Sequence, residues 1–315
     1  MNDDFYKNLV ELSKETRFGR IVESVINTSK SISFASYLDF SYNNNIVFSS
    51  DYAGEDGTSK YYTYTFTFQT YSTLQHWHKK IIELKSDKGY SGEASYKDIK
   101  PKTRQGKLRD WFDVTLKNFK GFIYCVAIPV TTESLFAPTI ETLHEEILKN
   151  PTFNNCTFNP KILEKSFRIA SFPSLILSFI LENEYGVWWM TDKDSIVQDN
   201  EKLDFTSLLL QHNLEAMHPK LTGLKLAFSL PFKKQAESDN FSKDFLSLSD
   251  LISGAVNNYC NIISDNISPQ EIYKQLKPKS LEILKYTKDI PAFIYLFEEN
   301  KNGCLCKRIV IEVEE

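Results

Sequence analysis

The chain is poor in the residues that break or staple structure. Among its 315 residues there are only 11 glycines and 11 prolines, so extended disorder is not expected. Cysteine numbers five, an odd count with scattered spacing, which excludes a disulfide framework and fits reduced thiols in a cytoplasm. No long hydrophobic run is present. The longest, Phe167 to Leu181, holds Arg168 and Pro173 and falls short of the ~20 residues a membrane span needs. It reads as a core helix, kinked or interrupted at Pro173. The start, Met1-Asn2-Asp3-Asp4, is acidic and has no apolar signal core, so no secretory signal is expected. Internal repeats, low-complexity tracts, a clear interdomain linker and a Gly-rich phosphate loop of Walker or Rossmann type are also missing.

What is present is enough apolar material for a large core, at 42% hydrophobic and 14% aromatic. The net charge of −4 argues against an all-over basic nucleic-acid binder. The charge is uneven, however. Between Lys79 and Arg109 ten basic residues face four acids, a local charge of +6. Such a stretch suits either phosphate contacts or an ordinary solvated helix face.

Taken in order, residues 4 to 30 carry helical spacing and are expected to pack outside the main sheet, with Gly19 between two short helices. Residues 33–42 read as a weak strand or connector. Ile46 to Ser50 is a buried strand that meets Asp51 and then a glycine turn at Gly54. Tyr61 to Phe68 alternates aromatic and threonine, a strong strand signal, and is expected to pair antiparallel with the first strand. Helices follow over about 72–85 and 102–119, then a fully buried strand at Gly121–Ile128, then helical stretches over 133–149 and 160–184. Val187 to Thr191 is a second apolar strand ending on an acid, Asp192, with Asp194 just beyond. A helix at about 203–216, a strand at 224–230, an apolar helix from Phe245 carrying Asp250, two short helices in 268–287 and a hairpin at Asn302-Gly303 complete the chain. His76 and His78 diverge on a helix, and Cys304 and Cys306 lack a second cysteine pair, so neither pair reads as a metal site.

Acids at two strand ends and on a late apolar helix carry the chemistry. Asp51, Asp192 and Asp250, joined by Glu55, Glu93 or Asp194, are the oxygen donors that hard cations such as Mg²⁺ or Mn²⁺ take. Two such ions activate a water and stabilise the leaving oxygen of a phosphodiester. Each acid also has a plainer reading. Asp51 and Asp192 can open turns, Asp250 can cap a helix, and Lys97 can be a surface lysine rather than a phosphate contact.

The series Asp51-x-x-Gly54, Tyr96-Lys97-Asp98 before a helix with Arg104 and Leu108, Gly121-Phe122 entering a strand, Asp192 after a strand, and Leu248 to Ala255 on a helix resembles the bacterial family known as domain of unknown function 3800. The resemblance covers about residues 45–262. It implies a ribonuclease H-like α/β fold, a mixed sheet flanked by helices. Residues 1–44 would form a helical extension and 45–265 the core, with a helical insertion at about 133–184. Residues 266–315 would be helices and a hairpin packed on that core. It also implies Asp51, Asp192 and Asp250 as metal ligands, Lys97 as a site lysine, and membership of an antiviral or mobile-element system. The family's first motif usually reads Asp-Glu-Ser-Gly; here Tyr52 and Ala53 follow Asp51, and Glu55 is the acid that would take the missing place. Two functions follow as expectations: a cytoplasmic metal-dependent nuclease acting on DNA or RNA, or an inactive subunit of the same fold that binds a protein partner or nucleic acid.

Overall fold

A computed structural model describes residues 14–90, 94–97, 99, 105–151, 153, 157–181, 185–191, 195–196, 200–219, 225–229, 241–263, 268–300 and 303–311. The strands are β1 (Asn45–Ala53), β2 (Tyr61–Thr70), β3 (Gly121–Pro129), β4 (Gly186–Thr191), β5 (Lys225–Ser229), β6 (Ala292–Asn300) and β7 (Gly303–Ile309). The helices are α1 (Phe18–Ser29), α2 (Tyr71–Lys88), α3 (Gln105–Asn118), α4 (Ile140–Lys149), α5 (Pro160–Ser178), α6 (Asn200–Met217), α7 (Phe241–Ile263), α8 (Pro269–Gln275) and α9 (Pro278–Thr287). All seven strands form one mixed sheet in the order β5-β4-β1-β2-β3-β6-β7. β1 pairs antiparallel with β2 and β2 with β3, whereas β1–β4, β4–β5 and β3–β6 are parallel. The protein is therefore α/β, with helices covering both faces.

The alternation in β2 sorts the two faces. Period two sends Tyr64, Phe66 and Phe68 to one side and Thr63, Thr65 and Thr67 to the other. On the aromatic side Trp189, Phe48, Phe68 and Phe122 stack in a row across four strands, with centroids 5.8, 5.4 and 5.0 Å apart. Helices α1, α5 and α6 cover that face. The threonine side is covered by α2, α3, α7, α8 and α9. Small hydroxyls let α7 sit close to the sheet there: Ser249 Oγ lies 2.6 Å from Ser49 Oγ and 3.0 Å from Thr67 Oγ1.

The structure differs from the sequence expectations in several places. Helix α1 does not pack outside the sheet; Phe18, Ile21, Val22, Val25 and Ile26 are buried in the core under it, because one full apolar stripe needs a partner. Gly19 lies inside α1 rather than between two helices, and residues 1–13 lie outside the described residues. Residues 34–37 form a short 3₁₀ turn that drives Phe34 against Phe293 at 4.9 Å. The helix expected from 133 starts only at Ile140, since Pro138 disfavours helix before it and the Thr139 side chain caps the start by accepting from Thr142 N. Helix α5 runs through Pro173 without interruption, buried on the sheet. The C-terminal hairpin joins the central sheet through β3–β6 pairing.

Candidate functional site

Near the centre of the sheet β1 carries Ser49, Asp51 and Ala53 on the face toward α7, alternating with Phe48, Ser50 and Tyr52 on the other. Asp51 is half-buried and opposite Thr65 of β2. On its other side Ser50 pairs with Thr191, the last residue of β4. The turn that follows is pressed onto α7. Gly54 has φ +99, and a Cβ there would come within 2.1 Å of the Tyr61 carbonyl oxygen. Asn257 of α7 donates to that same carbonyl at 2.7 Å. The strand end bearing Asp51 is thus fixed against the helix bearing Asp250.

Asp250 follows Ser249, so it lies about 100° further round α7 than the hydroxyl that meets the sheet. Its Oδ2 accepts the backbone N–H of Tyr96 at 2.7 Å. Tyr96 is seated by several contacts. Its hydroxyl lies 2.7 Å from Ser280 Oγ, and its carbonyl accepts from Lys279 Nζ, which also sits 4.0 Å over the ring. The ring covers Gly254, where a Cβ would approach Tyr96 Cγ to 2.4 Å. Burial pushes the Tyr96 phenol above its ordinary value, and the nearby Asp250 charge adds to this, so the group stays neutral. Lys97, next in the chain, is exposed.

Of the remaining expected ligands one is described. Glu55 reaches to the opposite face, where its carboxylate pairs with Lys165 Nζ of α5 at 2.5 Å. Glu93, Asp192 and Asp194 lie outside the described residues. Among the described residues no group of three or more His, Cys, Asp or Glu could hold a metal ion. Asp51 and Asp250 do have the right donor chemistry for Mg²⁺ or Mn²⁺, which bind through one or two carboxylates and keep waters.

Four members of the basic stretch pair with acids. Lys80 bonds Glu83, Lys85 bonds Asp244, Lys88 lies 3.4 Å from Asp110, and Arg109 bonds Glu282. Lys107 packs over the Tyr90 ring. Lys100, Lys102 and Arg104 lie outside the described residues. Two buried charge groups escaped the sequence reading. Asp244 bonds Lys85 of α2 and lies 3.2 Å from His78 Nε2, and Arg168 donates to Glu164 at 2.8 Å. The second had a signal, Glu164 and Arg168 spaced i,i+4; the first joins residues far apart in sequence and had none.

No protein-family model matches the chain, and comparison with curated proteins gives no match. Among the described residues no helix is long and apolar enough to cross a membrane.

Proposed function

We propose that this chain is a ribonuclease H-like, Mg²⁺- or Mn²⁺-dependent nuclease that cleaves nucleic-acid phosphodiesters. The observation that carries the reading is the place of Asp51: a central strand, near its carboxyl end, facing the helix that bears Asp250. The order β3-β2-β1-β4-β5, in which β2 alone is antiparallel, supports a ribonuclease H-like core, with β6, β7 and their helices added. Fold by itself assigns no chemistry, so the weight rests on the acids.

In this reading Asp51 and Asp250 supply oxygen ligands, and Asp192 and Glu93 complete the set. A bound divalent ion would lower the pKa of its water and offset charge on the leaving oxygen. The Tyr96 amide holds one oxygen of Asp250 and so fixes the direction of the other. Lys97 meets a substrate phosphate. The test is cleavage of single- and double-stranded DNA and RNA with Mg²⁺ or Mn²⁺. Asp51→Asn and Asp250→Asn are each expected to lower the rate about a hundredfold, close to 2.7 kcal/mol of barrier at about 1.36 kcal/mol per tenfold. Cutting at the wild-type rate by both variants sinks the assignment.

A second reading is favoured by a specific observation. The Asp250–Tyr96 bond, the Glu55–Lys165 pair and the ion pairs of Lys80, Lys85, Lys88 and Arg109 give these groups structural partners. They suit an inactive subunit of the same fold that binds a protein partner or nucleic acid in an antiviral or mobile-element complex. Calorimetry with millimolar Mg²⁺ and Mn²⁺ separates the two, since only the nuclease requires metal to bind. A cytoplasmic setting belongs to both readings.

A further inference from the structure

A cleft of about 470 Å³ opens on the face away from Asp250, between α5 and the carboxyl-terminal edge of the sheet. That edge of a parallel sheet is where α/β proteins take ligands, and the volume suits a small organic molecule. Its lining is mixed. Lys161, Lys165 and Arg168 share one face of α5, Tyr62 stands on β2, Glu55 on the turn after β1, and Glu133 after β3.

Lys165 is the unusual member. It is only 9% exposed, and a lysine so buried needs a counter-charge. Its Nζ sits 5.3 Å over the Tyr52 ring, and an acid that pairs with it is Glu55, whose side chain is 52% exposed and stands on a short turn between two glycines of positive φ, Gly54 and Gly57. A buried cation is therefore matched by an acid at the mouth of the cleft. The exposed acid holds its place weakly, because water competes for it. A ligand anion entering the cleft offers the lysine the same charge with more oxygens. Beneath, Arg168 is committed to Glu164 and to the carbonyls of Thr132 and Glu133, so it shapes the floor rather than the contact. Lys161, one turn before Lys165 and exposed, adds a second cation at the entrance. The half-buried Tyr62 ring offers a planar wall, and the exposed carboxylate of Glu133 accepts from hydroxyl or ring N–H donors.

We propose that this cleft binds a free nucleoside monophosphate, whose phosphate displaces Glu55 from Lys165 while the base lies against Tyr62 and the sugar hydroxyls meet Glu133. The inference does not rest on the nuclease reading, and it assigns Glu55 to this cleft instead of the metal cluster.

Isothermal titration calorimetry of the full chain in EDTA tests it, with the four ribonucleoside 5′-monophosphates, the matching nucleosides, inorganic phosphate and a 5′-phosphorylated oligonucleotide as probes. At least one monophosphate is expected to bind roughly tenfold or more tighter than its nucleoside and than phosphate. Lys165→Met is expected to weaken binding roughly tenfold, Lys161→Ala severalfold, and Glu55→Gln to tighten it severalfold by removing the competing carboxylate. Lys161 and Glu55 are exposed, so their variants keep the test open if Lys165→Met fails to fold. Absence of binding by every monophosphate at about 10 mM, near the weak end of measurable affinity, overturns the proposal. So does a Glu55→Gln variant that only loses thermal stability and binds no tighter. An oligonucleotide that binds more tightly than the mononucleotides overturns the commitment to a free ligand.

Discussion

Gly254 shows how one residue holds the Asp250 region together. Its missing side chain is the seat of the Tyr96 ring, and the ring is tied at its hydroxyl, its amide and its carbonyl. Gly254→Ala is expected to cost about 1–3 kcal/mol, because the ring has no free direction in which to move. The local readout is hydrogen exchange at the Tyr96 amide, which should speed up as its bond to Asp250 loosens. An unchanged exchange rate with unchanged stability would show that the seat is not needed. Asp51 and Asp250 were legible in the sequence as acids in apolar surroundings. Their partners were not. The Tyr96 amide and the Gly254 seat depend on a loop and a helix more than 150 residues apart, as do the hydroxyls of Ser49 and Ser249. Glu55 was read as a metal ligand because it follows Asp51 closely; the turn at Gly54 instead carries it to the other face, where Lys165 waits.

At the scale of elements, α7 joins the sheet to the Tyr96 loop. It lies across β1 and β2, supplies Ser249 to the sheet and Asp250 to the Tyr96 loop, and begins with the buried Asp244. Asp244 Oδ1 takes Lys85 Nζ at 2.5 Å and Oδ2 lies 3.2 Å from His78 Nε2, so α2 is tied to the first turn of α7. Asp244→Asn is expected to destabilise the protein by about 3 kcal/mol, since it leaves a largely buried cation without its counter-charge. Urea unfolding measures this as a lower midpoint at an unchanged slope. A shift under about 0.5 kcal/mol, the size of an ordinary surface change, would mean the pair is solvated after all. The strands and helices themselves were mostly legible, because period two in Tyr61–Phe68 and period 3.6 in the helices are written locally. Boundaries set by capping, such as Thr139 at α4, and the reach of α1 into the core were not.

Over the whole molecule, burial sets how stability responds to pH. It pushes the Cys125 and Cys306 thiols up to about 12 and raises Cys260 well above its ordinary value. Burial also pushes the Tyr295 phenol up to about 12. In the unfolded chain these thiols titrate near 9, so above that pH the unfolded state sheds protons that the folded state keeps. The stability they contribute is therefore complete below about pH 9 and lost as the pH rises toward 12. Thermal melts between pH 8 and 11 should show a falling midpoint, and Cys125→Ala should flatten the fall; a flat profile in the wild type would contradict this. By itself the sequence determined the class of most elements, the α/β character, and which acids follow apolar strand-like runs, because these follow from local periodicity and residue chemistry. Only the tertiary structure decided the strand order, the side of the sheet each acid faces, and the partner each charge finds. Those depend on which distant segments close against one another, and a one-residue turn such as Gly54 is enough to send one carboxylate toward α7 and the next charged side chain toward α5.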